Sequence, residues 1–345
     1  MSDIKRHGKD RILWMDMIRG GMILLVIMQH WLARLDSYES LSPIGFYQVI
    51  YNIKIYFEPF RMELLFFLSG MIVHKSIAKE TKTYVLGKVR NLLYPYILWS
   101  LIYFLFFNFK DILSGDMEKP LIDMARIMVG APGLTWFLCF LFIFFLVSIP
   151  VLSKIKNPAI VFSACVAFIV LFPEVHLFEG LNVNYIRETD LFYYFIYFYL
   201  GCLVGMRGVD IVNISKNKVV FFVSIASLII VQLINFNLDV FKTSLVYLPF
   251  AILTIPLFVF VGDLLSRSNV ISKALTHVST NSIVYYLMQF LFLSIFAKIL
   301  TILHVGESLH FPLVLILTII STYLFILIKR RFYMLNFLFS PSVTK

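Results

Sequence analysis

Apolar residues come in long blocks along this chain, with polar and basic residues gathered between them. Ten blocks cover roughly 13–33, 59–76, 91–109, 134–152, 158–173, 189–206, 219–235, 244–262, 280–300 and 311–328. A helix needs about 20 apolar residues to cross the hydrocarbon of a bilayer. The blocks lack the alternation of a barrel strand, which turns one face to lipid and the other to water. The pattern predicts an all-α polytopic membrane protein of about ten transmembrane helices, forming a single transmembrane domain over residues 1–345. The block at 158–173 is near the short limit. Pro249 and Pro256 interrupt the eighth block, which spanning helices tolerate where neighbours satisfy the freed backbone groups. The first block is too long for a signal peptide, contains Asp16 and Arg19, and has no small-residue cleavage site. It is expected to be a retained first helix.

The basic residues orient these helices. With the N-terminus in the cytoplasm, twenty of the 30 Lys and Arg residues fall in cytoplasmic segments and eight on the opposite side. This positive-inside bias places both termini in the cytoplasm. The net charge of +10 on a chain that is 60% hydrophobic is therefore a topology signal, and nucleic acid is not an expected partner. Cys139, Cys165 and Cys202 lie inside apolar blocks without metal-type spacing and read as small core residues. No HExxH, Walker loop, dinucleotide fingerprint or GxSxG elbow occurs, and no metal is expected. The absence of an internal repeat weakens a transporter built from inverted halves.

Attention then falls on polar residues inside the blocks, because ionisable groups in a membrane are costly and tend to line a cavity or path. Arg19 and His30 are eleven residues apart. Helical geometry puts them on one face, about 16 Å apart along the axis. Asp16, one turn before Arg19, can pair with it, so the first helix carries a polar stripe. The second block, "EPFRMELLFFLSGMIVHKS", carries Arg61 and Glu63 near its outer end. They are two residues apart and face different neighbours. Ser69–Gly70 lies about midway and also suits small-residue helix packing. Lys88 and Arg90 precede Pro95 at a cytoplasmic entrance, where they obey the positive-inside rule and would also suit the phosphates of an anionic donor. Trp136 opens the fourth block at an expected interface. Tyr285 and Gln289 sit one turn apart in the ninth.

In combination these stretches resemble the integral-membrane acyltransferase-3 family. The resemblance is carried in order by "DMIRGGMILLVIMQH", "FRMELLFFLSGMIV", "KVRNLLYPYILWS", "TWFLCFLFIF", "YFYLGCLVG" and "NSIVYYLMQF". The first is the most specific, an arginine and a histidine separated by ten residues. The resemblance implies that His30 is the essential histidine and Arg19 its partner, that Ser69 and Gly70 belong to the second motif, and that Lys88 and Arg90 form the basic stretch on the donor side. It also implies an O-acyltransferase that takes an acetyl group from cytosolic acetyl-CoA. The acceptor would be a hydroxyl of a surface polysaccharide such as O-antigen, or of its lipid-linked precursor, at a bacterial inner membrane. Succinyl or another acyl group is an alternative cargo. Asp16, Arg61, Glu63, Ser69, Trp136 and Tyr285 are the expected substrate-binding residues, with Arg61 and Glu63 contacting sugar or orienting His30. Where many members have a histidine in the ninth helix, this chain has Gln289, so a second imidazole is not expected there. Sequence leaves open whether His30 acts as a base or carries the acyl group, and it leaves the oligomeric state open. The rival readings are a transporter or flippase of a glycan intermediate and a structural subunit.

Overall fold

The computed structural model describes residues 12–35, 46–78, 80–128, 134–172, 188–237 and 243–341. Among them every regular element is helical. Several basic residues used for orientation, Lys5, Arg6, Lys9, Arg11, Lys79, Arg187, Lys242 and Lys345, lie outside the described residues.

In chain order the helices are α1 (Leu13–Leu35), α2 (Phe46–Phe57), α3 (Arg61–Met71), α4 (Val73–Ile77), α5 (Thr81–Lys88), α6 (Tyr94–Ser114), α7 (Glu118–Met128), α8 (Trp136–Lys154), α9 (Pro158–Leu171), α10 (Glu188–Met206), α11 (Ile211–Ser215), α12 (Lys218–Asn237), α13 (Leu248–Ser266), α14 (Asn269–Thr280), α15 (Ser282–Ile302) and α16 (Glu307–Arg331). Among the described residues seven helices are long and apolar enough to cross a membrane: Thr81–Ser114, α8, Thr189–Met206, α12, α13, α15 and Leu309–Arg331. The apolar helix α9 is shorter. With 23 residues α1 has comparable length, but Asp16, Arg19, Gln29 and His30 make it less apolar.

The blocks predict most of these boundaries within a few residues. Two blocks differ. The second is split into α3 and α4, and α2 precedes it within what reads as an outer loop. The third begins at Thr81 rather than near residue 91. There α5, a π-helical turn over Val89–Leu93 and α6 form one rod of 34 residues, about 51 Å long at 1.5 Å per residue. The π-turn has a local cause. Pro95 has no N–H, and its ring would crowd the carbonyl four residues back. The preceding turn is wide, and the Tyr94 N–H reaches five residues back to the Val89 carbonyl. Gly115 stops the rod in a left-handed conformation (φ 80°), its N–H bonded to the carbonyls of Asp111 and Ile112, as a C-terminal glycine commonly does.

By internal contact the chain divides into two units, residues 1–68 with 208–320 and residues 69–207 with 321–345. In the first, α1 packs against α13, α14 and α15. Gly20 lies so close to the Leu275 carbonyl that a side chain would not fit, and a Cβ on Gly262 would stand 2.9 Å from the Trp14 carbonyl. These small residues let α1 sink among its neighbours. At its other end Trp31, Leu32, Leu293, Phe311 and Val314 form an apolar cluster, where the Trp31 indole donates to the Phe311 carbonyl at 3.2 Å. Gln232 and Asn235 of α12 donate to the carbonyls of Tyr56 and Ile55 at 2.9 Å each, satisfying groups that the end of α2 leaves open.

In the second unit α8 runs antiparallel to the rod. Midway along it the Tyr84 hydroxyl donates to the Phe145 carbonyl at 3.1 Å. At its start the hydroxyls of Ser100 and Thr135 share a 2.6 Å hydrogen bond. Beyond that level α7 folds back on α6, fastened by Asn108 donating to Asp123 at 3.0 Å. A seam of rings joins α8 to α10, with Phe144 5.3 Å from Phe195 and 5.5 Å from Phe198. Gly70 meets the Phe198 carbonyl and Gly205 the Met71 carbonyl, each too close to admit a side chain.

Candidate active site

The polar stripe of α1 lies in the first unit. Arg19 and His30 are both half-buried. The imidazole of His30 sits 4.5 Å from the Phe290 ring, tilted by 54°. Arg61, the first residue of α3, belongs to the same unit as His30. Arg61 is only 4% exposed and Glu63 3%. Neither is the exposed interfacial charge that its place near a block end suggests. Next to Phe290, Gln289 is wholly buried. Its amide nitrogen donates to the Tyr286 carbonyl at 2.9 Å, and its Oε1 is enclosed without a hydrogen-bond partner among the described residues.

At the opposite end of the stripe the buried Asp16 carboxylate accepts a 2.6 Å hydrogen bond from the Ser279 hydroxyl. Tyr285 is buried with its ring edge-on to His277, 6.1 Å between centroids. Tyr285 and Gln289 therefore belong to different surroundings: one reaches the turn that joins α14 to α15, the other the neighbour of His30. Ser279, His277 and Phe290 are absent from the sequence expectations. The polar run "HVSTNS" opening the ninth block is the one sequence signal that points to the first two.

The remaining candidates lie in the second unit. Ser69 is buried in the last turn of α3, beside the glycine that packs on α10. Trp136 caps the start of α8, its ring 5.2 Å from Phe140 and 5.5 Å from Tyr194. Lys88 and Arg90 are parted by the turn they share. The Lys88 ammonium lies over the Phe145 ring, 3.4 Å from its centroid, and 5.1 Å from that of Tyr84. Arg90 is exposed and makes no ion pair or hydrogen bond among the described residues. Among those residues no group of His, Cys, Asp and Glu is arranged to hold a metal ion.

A half-buried histidine and a deeply buried arginine inside a helical membrane protein suit group transfer, and the motif order points to one family. The family model of the acyltransferase-3 domain, described as an acyltransferase domain, matches residues 12–327. The chain belongs to the acyltransferase-3 family. No curated protein and no solved structure matches it. As an acyltransferase-3 protein it is an integral membrane acyltransferase. The matched span takes in α1, the split second block, the rod and α15, and so every candidate named above.

Proposed function

We propose that this membrane acyltransferase is an O-acetyltransferase. It takes the acetyl group of cytosolic acetyl-CoA and delivers it to a hydroxyl of a surface polysaccharide or its lipid-linked precursor, at a bacterial inner membrane. The observation that carries the reading is His30, which the family pattern marks by its spacing from Arg19, half-buried against the Phe290 ring in the unit that also buries the Arg61 guanidinium. A charge this deeply enclosed is expensive to keep, and stabilising the reacting groups gives it a purpose.

In the proposed reaction the neutral imidazole of His30 accepts the proton of the acceptor hydroxyl. The oxygen attacks the thioester carbonyl, and the C–O bond forms as negative charge gathers on the carbonyl oxygen. A preorganised cation such as Arg61 stabilises charge of that kind. Collapse breaks the C–S bond, and the imidazolium returns its proton to the departing thiolate. A two-step route through an acyl-imidazole uses the same groups. Arg19, about 16 Å along α1 from His30, is assigned to the donor, whose extended pantetheine arm spans such a depth. Arg90 makes the first contact with the donor phosphates, while Lys88 joins only by leaving the Phe145 ring. Asp16, Glu63, Ser69, Trp136 and Tyr285 are proposed as substrate-binding or orienting residues.

The test compares His30→Ala and Arg19→Ala with wild type at equal abundance. It measures transfer of labelled acetyl groups from acetyl-CoA to glycan in isolated membranes. Both variants should lose transfer. A variant that transfers at the wild-type rate removes that residue from the mechanism. If the wild-type protein incorporates no label, the activity reading itself fails, and glycan movement is left as the use for these charges.

A further inference from the structure

After α16 leaves its basic end, Lys329–Arg331, the segment "FYMLNFLFS" does not run free. It forms a 3-10 turn over Tyr333–Leu338 and lies across the rod of the same unit. The contacts are specific. Phe337 meets Tyr94 edge-on at 5.4 Å. The Trp99 indole donates to the Leu338 carbonyl at 2.7 Å. Phe339 is buried 5.6 Å from Trp99 and 6.1 Å from Phe325, with the Lys329 ammonium 4.9 Å above its ring. The Ser340 hydroxyl donates to the Asn91 side-chain oxygen at 3.2 Å.

These contacts fall on the one irregular turn of the rod. Asn91 lies inside the π-turn, Tyr94 supplies the N–H that closes it, and Trp99 stands one turn beyond Pro95. A π-turn is an infrequent geometry often found at functional sites, and here the strap touches it at Asn91 and Tyr94. Arg90 projects from that same turn. The strap's own outer face stays open, with Met334 87% and Phe337 59% exposed. It is held by one buried ring and a few polar contacts, so it braces the rod without being part of the core.

We infer that residues 333–340 form a clamp on the π-turn and that its task is to hold Arg90 toward an anionic, phosphate-bearing donor. The inference rests on the donor-side reading of Arg90 given above. Phe339, Trp99 and Ser340 are then positioning residues, acting on the donor through the turn that carries Arg90.

The experiment uses the full chain in lipid nanodiscs with coenzyme A as the probe. Variants are Phe339→Ala, Trp99→Phe (which keeps a ring and removes the indole donor), Arg90→Ala and the Phe339→Ala/Arg90→Ala pair. Binding of coenzyme A and the kcat and KM for acetyl-CoA are measured, with hydrogen exchange across residues 89–95. Arg90→Ala should weaken coenzyme A binding about tenfold, the loss of one charge-assisted contact. Phe339→Ala and Trp99→Phe should raise both the dissociation constant and KM severalfold, leave kcat unchanged and speed exchange in the π-turn. Phe339→Ala should add nothing once Arg90 is gone. If Arg90→Ala weakens binding but neither strap variant does, the clamp is wrong and the donor reading stands. If Arg90→Ala leaves binding unchanged, both are overturned.

Discussion

Replacing Gly70 by alanine should loosen the second unit. The family motif joins this glycine to Ser69, which invites a catalytic reading for both, but the structure gives Gly70 a packing role. A Cβ at that position would stand 2.9 Å from the Phe198 carbonyl carbon and 3.0 Å from the Cys202 nitrogen, and closer still to the Phe198 oxygen. Ordinary contact begins near 3.4 Å, and the obstructing atoms are backbone of α10, so no side chain can swing away. Set by the Phe198 oxygen, the end of α3 and α10 would have to part by about an ångström or more. Overpacking of that kind costs about 1–3 kcal/mol. Gly87→Ala is the matched control: it lies within α5 with nothing near its would-be Cβ, and alanine there should be neutral or stabilising by up to about 1 kcal/mol. The assay is thermal denaturation of both variants in detergent, followed by acyl transfer at a temperature where each remains folded. Gly70→Ala should melt lower than wild type and Gly87→Ala should not. A Gly70→Ala protein with wild-type stability and no activity would refute the packing argument and return Gly70 to the chemistry.

Two further substitutions separate structure from binding. Ser279→Ala removes the hydroxyl donor to the buried Asp16 carboxylate, and a hydrogen bond to a charged group contributes about 1.5–3 kcal/mol. The variant should melt measurably lower, and Ser279→Thr should recover part of the loss if the hydroxyl is what matters. Lys88→Met keeps the side-chain stem over Phe145 and exchanges a cation–π contact of about 0.5–2 kcal/mol for a weaker thioether–ring contact. It should weaken coenzyme A binding less than Arg90→Ala does. The opposite order, measured by equilibrium binding, would mean that Lys88 leaves its ring to hold the donor.

The fold was legible in the sequence wherever the signal was sheer apolar length. The fourth and seventh blocks, read as 134–152 and 219–235, are helices at 136–154 and 218–237. Where a helix is short or mixed in polarity, length carries no signal. Thus α2 and α7 read as outer loops, and α14 reads as a cytoplasmic connection. The start of the rod was hidden for a different reason: Lys82, Lys88 and Arg90 mark a cytoplasmic segment by charge, and a charged segment on the water side of a span can be helical all the same. In the site, the stripe of Arg19 and His30 follows from helical geometry on one element. The approach of Phe290 to His30, of Ser279 to Asp16 and of His277 to Tyr285 depends on how separate helices pack, which spacing along one helix does not encode. The strap was hidden as well. Nine mostly apolar residues after a basic run show no period of their own, and their meaning lies in the Trp99 and Asn91 partners found more than two hundred residues earlier.

The burial of α1 ties these parts to the proposed chemistry. Lipid cannot satisfy a carboxylate, a guanidinium or an imidazole, so a helix carrying all three must be enclosed by protein. Helix α1 is lined on most sides by α13, α14 and α15, and Gly20 and Gly262 allow the approach. By contrast α12, whose apolar window is only 28% buried, presents Val219, Phe222, Ile229 and Leu233 outward and carries no charge between its ends. Within the first unit, the helix that carries Asp16, Arg19 and His30 is thus more enclosed than the apolar α12. A helix needed only for anchoring would gain nothing from that arrangement, since replacing Asp16, Arg19 and His30 by apolar residues would remove the desolvation cost. Together with Arg61 and Glu63 buried on α3, they are the physical ground on which the proposed transfer is assigned to residues of α1.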